Sequence, residues 1–147
     1  AMNSKEVRIN YLTELLSWER GRQAKIKMPE YKNNVDNFRV EAGNEDRRLL
    51  SIILKKYLTE RAFKKIGENS LVTITVGNPP KYDLSITEER NLKDGMVDYL
   101  CISNNGALLG SVLKFSMLRK GEEWRIDNIQ QKHGTLSEDA WKNKSSI

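Results

Sequence analysis

The sequence predicts a single α+β domain in which helices come first and antiparallel strands follow. Up to Gly67 the apolar residues recur at the spacing of helices, and beyond Gly67 they alternate with polar residues as in strands. Turn signals such as Asp94-Gly95 and Lys120-Gly121 separate the alternating segments. This order of elements is the pattern of the α+β class.

Length and composition agree with one folded domain. The chain has 147 residues, of which 38% are hydrophobic and 31% charged, and a chain of this size can bury a core without a disulfide or a metal. Its apolar runs fall far short of the roughly 20 residues that span a bilayer, so no membrane span is expected. We expect the α+β domain to occupy residues 1–131, and residues 132–147 to form a polar C-terminal tail interrupted by Leu136 and Trp141.

The first helix is predicted from Ser4 to about Lys27, with Ser4 as its N-cap. The residues at helical spacing are Val7, Tyr11, Leu12, Leu15, Leu16 and Trp18. Pro29, Asn33 and Asn34 then indicate a polar connection.

A second helix is predicted from Glu45 to Ile66. Asn44 is suited to cap its first turn, and Glu45 and Asp46 favour the positive end of the helix dipole. Its apolar stripe consists of Leu49, Leu50, Ile53, Tyr57, Phe63 and Ile66. Gly67 is expected to end the helix in a left-handed conformation, which glycine adopts without steric cost.

Five strands are predicted after Gly67. They are Leu71–Val76, a segment from Tyr82 to Thr87, Met96–Ser103, Ala107–Arg119 and Trp124–Gln131. Asn104, Asn105 and Gly106 provide a hairpin signal between the third and fourth strands. The fourth strand is expected to direct Leu109, Leu113, Phe115 and Met117 to one face, against the second helix.

The positive charge lies in the N-terminal half. Residues 1–67 carry 15 basic and 9 acidic side chains, whereas residues 68–147 carry 10 basic and 11 acidic ones. A basic segment of this kind can bind nucleic acid, an anionic membrane or an acidic protein. The candidate basic surface is the stretch that contains Arg20, Arg22, Lys25 and Lys27. Its cations are too dispersed for a dense phosphate-binding cluster, so the sequence favours a protein partner over nucleic acid.

The side chains that could carry chemistry are isolated from one another. His133 lies near the start of the tail, and Cys101 lies within an apolar strand, where a buried thiol is inert. Asp98 interrupts the same strand, and a carboxylate in an apolar cavity can transfer protons. We expect Asp98 to be solvated or paired with a cation. The sequence predicts no catalytic residues, no metal site and no cofactor.

Two segments carry a resemblance to a known superfamily. One is Tyr57-Leu58-Thr59-Glu60-Arg61, followed by Phe63 and Ile66, and the other is Gly121–Ile129, which contains a Trp-x-Ile set. Both resemble segments of the nuclear-transport-factor-2-like, or cystatin-like, α+β cone. The resemblance implies N-terminal helices packed on a strongly bent antiparallel sheet that encloses a cavity. It makes Asp98, Tyr57 and Trp124 the candidate pocket residues.

The superfamily includes isomerases and dehydratases as well as binding and assembly modules of bacterial type. Enzymatic members use an inward Asp–Tyr or Asp–His pair, whereas Asp98 and Tyr99 are adjacent and point to opposite faces of a strand. We therefore favour a non-enzymatic protein-binding module. The most specific hypothesis is a toxin-neutralising immunity protein, and the next is an envelope or secretion assembly factor.

Two alternatives stay open, namely a small-molecule enzyme or binder that uses the cone cavity, and a weak nucleic-acid binder. The expected partner is another protein, such as an acidic toxin or an assembly partner, and a homodimer through the sheet is a further expectation. With Cys101 as the single cysteine, the sequence slightly favours the cytoplasm. Export followed by removal of a signal peptide is the alternative.

Overall fold

The computed structural model describes residues 2–147, and the first half of the chain is helical. The helices are α1 (Ser4–Ile26), α2 (Pro29–Lys32), α3 (Phe38–Tyr57), α4 (Glu60–Ala62) and α5 (Glu68–Val72). A 3-10 turn, Val35–Asn37, precedes α3, and a π-helical turn, Phe63–Gly67, joins α4 to α5.

The second half forms a five-stranded sheet whose strands are antiparallel and follow one another in chain order. The strands are β1 (Leu84–Lys93), β2 (Met96–Ser103), β3 (Ser111–Lys120), β4 (Glu123–His133) and β5 (Lys142–Asn143). A 3-10 turn, Glu138–Ala140, precedes β5. The predicted α+β class and the order of helices and strands are confirmed.

The core lies between the helices and one face of the sheet, which we call the inner face. Tyr11 of α1 makes edge-to-face contacts with Tyr57 of α3 and with Phe115 of β3, at centroid distances of 5.7 and 6.2 Å. The buried inner-face residues are Val97, Tyr99 and Cys101 of β2, Leu113, Phe115 and Met117 of β3, and Ile126 and Ile129 of β4. The predicted burial of Phe115 beside the Tyr57 helix is confirmed. Large side chains fill the space that an open cone would leave empty.

The starts of the two long helices differ from prediction. Asn3, not Ser4, caps α1, and its side chain accepts a hydrogen bond from the Glu6 amide. α3 begins at Phe38, so the prediction that Asn44 caps this helix is wrong. The chain reverses earlier, where Asn34 and Asn37 have positive φ angles. Asparagine tolerates this left-handed conformation better than most residues.

The predicted continuous helix to Ile66 is also wrong, because the chain breaks at Leu58. Leu58 is extended and bridges to Ile126 of β4, and Thr59 then caps α4. Gly67 is right-handed and does not form the expected left-handed cap. A side chain at Gly67 would place its Cβ 2.7 Å from Phe63 Cδ2, so glycine is required here for space.

The predicted strand Leu71–Val76 does not form. Its first residues belong to α5, and the chain from 73 to 83 has no regular structure. Glu19 of α1, which is fully buried, fixes the later part of this connection. Its carboxylate accepts hydrogen bonds from the amides of Gly77, Lys81 and Tyr82 at 2.8, 3.1 and 2.9 Å. These amides would otherwise be left without partners beside the core.

Residues 132–147, which the sequence separates as a polar tail, return to the sheet. Glu138 pairs with Arg90 of β1, and the Trp141 ring lies 4.5 Å from Lys114 Nζ and 5.2 Å from Lys132 Nζ. β5 then pairs with the end of β4. We call residues 134–141 the C-terminal strap, because they cross the outer face of the sheet, opposite the helices.

Candidate functional site

The three predicted pocket residues lie in different parts of the molecule. Asp98 points to the outer face, and the strand register places it opposite Arg90 in β1 and Ser116 in β3. Asp98 is buried and forms no ion pair with any residue that the structure describes, so the expectation that it is solvated or paired with a cation is wrong. Tyr57 is buried in the core on the other side of the sheet. Trp124 is half-buried at the start of β4, where the Arg119 guanidinium lies 5.5 Å from its ring. The structure therefore brings these side chains into no common cavity.

Half of the predicted basic surface takes part in an internal ion pair. Arg22 and Lys25 of α1 both contact the carboxylate of Asp46 in α3, at 3.1 and 2.5 Å. Asp46 is only 2% exposed, so its charge is compensated within the helical layer. Arg20 and Lys27 remain exposed to solvent.

The lone histidine and cysteine are also separated. His133 Nδ1 lies 2.7 Å from the Thr135 hydroxyl on the exposed end of β4. Cys101 is fully buried, and burial raises the pKa of its thiol to about 11. Within residues 2–147 no cluster of three histidine, cysteine or acidic side chains is placed to hold a metal ion. In the same part of the chain, no helix has the length and apolar character needed to cross a membrane.

A groove of about 660 Å³ lies on the outer face, between α4 and the ends of the strands; we call it the α4 groove. Its floor is apolar, because Met96 of β2 and Leu118 of β3 are cross-strand neighbours there. Its other lining residues are Thr59, Glu60, Arg61, Lys120, Glu123, Arg125 and Asp127. An apolar floor with charged walls suits a protein segment with a central apolar side chain.

Hydrogen bonds to β4 fix the wall of the α4 groove. The Thr59 amide donates to the Ile126 carbonyl, and its hydroxyl donates to Asp127 Oδ1, both at 2.9 Å. Arg61 pairs with the other oxygen of Asp127. Arg125 reaches back from the sheet and donates to the Leu58 carbonyl at 3.3 Å. The groove is thus formed before a partner arrives, which lowers the entropic cost of binding.

The wall is followed by a basic segment. Residues 55–65 contain five exposed cations, Lys55, Lys56, Arg61, Lys64 and Lys65, against one acid, Glu60. Lys56 pairs with Glu14 and Arg61 with Asp127. Lys64, Lys65 and Lys120 form no ion pair with any residue that the structure describes, and we call these three the basic rim. Lys120 lines the groove, and Lys64 and Lys65 follow the lining residue Arg61 in the chain.

Sequence reasoning missed this groove because its key contacts join distant segments. Thr59 and Arg61 meet Asp127 across 68 and 66 positions of the chain. A local signal did exist, since threonine is a good N-cap. The Thr59 hydroxyl accepts from the Ala62 amide at 3.1 Å, so a new helix starts where a continuous one was predicted.

Comparison with known proteins places the chain in a family. A family model described as an NTF2 fold immunity protein matches residues 3–145. No curated protein and no solved structure matches the chain.

Proposed function

The chain belongs to the family of NTF2-fold immunity proteins, and from this premise we propose that it neutralises a toxin by stoichiometric binding at the α4 groove. Family membership confirms two predictions from the sequence resemblance, namely the NTF2-like fold and a toxin-immunity role. The partner of such a protein is a toxin. The surface that contacts the toxin and the mode of neutralisation are our proposals.

The observation that carries the proposed surface is the apolar floor of the α4 groove inside a fixed, charged wall. Protein interfaces draw most of their affinity from a few side chains in a desolvated centre, surrounded by a polar rim. Met96 and Leu118 supply such a centre, and Arg61 and Arg125 are held at its edge by Asp127 and by main-chain carbonyls. A toxin side chain that enters this groove would contact apolar side chains at the floor of the groove and charged side chains along its walls.

The charge of the basic rim supports a toxin surface that is acidic at this contact. Lys64, Lys65 and Lys120 are exposed, and no carboxylate among residues 2–147 lies within ion-pair distance of them. Complementary charge accelerates encounter and disfavours partners of the wrong sign. Many toxins that act on nucleic acid would instead present a basic surface, so this proposal restricts the contact to an acidic part of the toxin.

The positions of the candidate proton-transfer groups support stoichiometric binding rather than catalysis. Asp98 lies across the sheet from Tyr57, and the Cys101 thiol is protonated at neutral pH because burial raises its pKa. A general base must lie within hydrogen-bond distance of the substrate proton that it removes, and the groups that orient the base must lie beside it. Asp98 has Arg90 and Ser116 as its cross-strand neighbours, which favours a role in packing the outer face.

The test uses candidate toxin domains, chosen from the genes that neighbour this one, and each is produced and titrated with the protein. We expect the variant Lys64→Glu/Lys65→Glu/Lys120→Glu to bind its toxin at least about tenfold more weakly, because the rim would repel the acidic contact. The matched control is Lys5→Glu/Arg20→Glu/Lys27→Glu, which changes net charge equally at exposed positions of α1 and of the residue that follows it. It should retain affinity within about threefold.

Equal losses in both variants would assign the effect to overall charge and exclude the α4 groove. No loss in the rim variant would place the interface elsewhere. The same titration measures stoichiometry. If toxin activity is fully inhibited at one chain per toxin, neutralisation occurs by binding. If a small fraction of one equivalent inhibits it fully, the protein acts as a catalyst. A homodimer has two equivalent grooves and would give the same end point, so the mass of the free protein in solution is what tests the predicted homodimer.

A further inference from the structure

A buried arginine with few acceptors lies between α1 and the inner face of the sheet. Arg8 is 4% exposed, and its Nη1 donates to Cys101 Sγ at 2.9 Å. Its Nε is buried and has no hydrogen-bond partner among residues 2–147. Arginine has five N–H donors and stays protonated in proteins. The charge is therefore largely buried, and its Nε–H has no acceptor among these residues.

The surroundings do not neutralise this charge. Burial lowers the pKa of Arg8, and the neighbouring Cys101 is a neutral thiol because burial also raises its pKa. The nearby Ser4 and Tyr99 hydroxyls are bonded to each other at 2.7 Å. In the described chain, no carboxylate lies within ion-pair distance of Arg8. Buried charges are normally paired, so Arg8 is an exception among the residues that the structure describes.

A cavity of about 220 Å³ adjoins Arg8, between α1 and the start of β1. Its other lining residues are Ile9, Leu12, Thr13, Leu16, Tyr82, Asp83 and Leu84. Most of this lining is apolar, and Thr13 is exposed at its edge. The one lining carboxylate, Asp83, accepts a hydrogen bond from Asn104 at 2.9 Å and forms no ion pair with Arg8.

We propose that this cavity binds a small monocarboxylate with a short apolar chain. The carboxylate would accept hydrogen bonds from the guanidinium of Arg8. This planar group can donate to both carboxylate oxygens at once. The chain would pack against Leu12, Leu16 and Leu84. A volume of 220 Å³ is about seven times the share of one water in the liquid. It lies below the roughly 300 Å³ at which sites for drug-sized ligands begin, so a nucleotide would not fit.

Butyrate is the probe that tests this site, with butyramide and sodium chloride as matched controls. Butyramide has the same shape without charge, and sodium chloride supplies the same ionic strength. At ten times its Kd, butyrate should raise the Tm by about 4 °C, and it should shift the Arg8 Nε–H resonance in a saturable way. An equal effect of butyramide would show that Arg8 is not the ligand, and an equal effect of chloride would show that the site takes simple halides. Either result would overturn the proposal.

Two variants separate binding from general stabilisation. Arg8→Met keeps length and apolar contacts but removes the charge, so the butyrate effect should vanish. Thr13→Trp leaves Arg8 unchanged and blocks the exposed edge of the cavity, so the shift of the Arg8 resonance should also be lost. If Arg8→Met does not fold, Thr13→Trp alone decides the matter, since unchanged butyrate binding in that variant excludes this cavity.

Discussion

Leu109, in the connection between β2 and β3, has a backbone conformation that leucine rarely adopts. Its φ angle is +51°, and 86% of the residue is exposed, so no burial compensates for the strain. Asparagine tolerates this region because its short side chain can bond locally. We expect Leu109→Asn to raise the free energy of unfolding by about 0.5–1 kcal/mol, as measured by urea denaturation.

The control for this prediction is Leu136→Asn. Leu136 is also exposed, at 54%, but is not among the residues with positive φ. This variant should change stability by less than about 0.5 kcal/mol. If Leu109→Asn destabilises the protein, the exposed leucine side chain contributes a contact that outweighs its backbone strain.

The difference between predictable and unpredictable residues is visible in Phe115 and Glu19. Phe115 alternates with Leu113 and Met117 along β3, so its burial follows from a local period of two. Glu19 is equally buried, yet its partners are main-chain amides about 60 positions away in an irregular segment. No periodicity reports such a contact, because the sequence signal of a main-chain donor is the same at every non-proline residue.

Among the elements, the C-terminal strap depends on an ion pair that pH can remove. Arg90 and the Trp141 indole both bond to the Glu138 carboxylate and lower its pKa to about 2. A carboxyl whose folded pKa is depressed stabilises the fold above its ordinary pKa, and this contribution is lost as pH falls through the folded value. The strap should therefore stay closed at neutral pH and loosen in acid toward pH 2.

We expect the Trp141 indole N–H resonance to shift with an inflection near pH 2. In Glu138→Gln the same resonance should have no inflection in this range, although other carboxyl groups still titrate. An inflection near the ordinary glutamate value of about 4.3 would contradict the pairing. That result would mean that Arg90 does not hold the strap in solution.

Helices and strands are predicted well where a local sequence pattern sets their bounds. They are predicted poorly where a contact with a distant segment sets those bounds. β2, β3 and β4 were anticipated within a few residues, because alternation and turn residues mark them. The α3–α4 break was not, since Leu58 leaves the helix in order to pair with Ile126. The missed break is also what forms the α4 groove, so the error in the fold and the missing site have the same cause.

At the scale of the whole molecule, charge distinguishes a protein partner from nucleic acid. The sequence places Arg20, Arg22, Lys25 and Lys27 in one basic stretch, but Arg22 and Lys25 are paired with Asp46. Two exposed cations remain there. Each phosphate neutralised on a single strand contributes about −0.7 to the slope of log K against log salt. Two such contacts give a slope of only about −1.4, too small for tight binding.

We therefore expect the protein to bind oligonucleotides weakly at low salt. It should release them at the physiological ionic strength of about 0.15 M. Fluorescence anisotropy with a labelled single strand measures this slope, and Arg20→Glu/Lys27→Glu should remove the part of the binding that this stretch contributes. Sub-micromolar affinity at physiological salt that this variant removes would contradict the expectation and favour nucleic acid as the partner. Toxin binding should respond differently, because a desolvated centre at Met96 and Leu118 keeps part of its affinity when salt screens the basic rim.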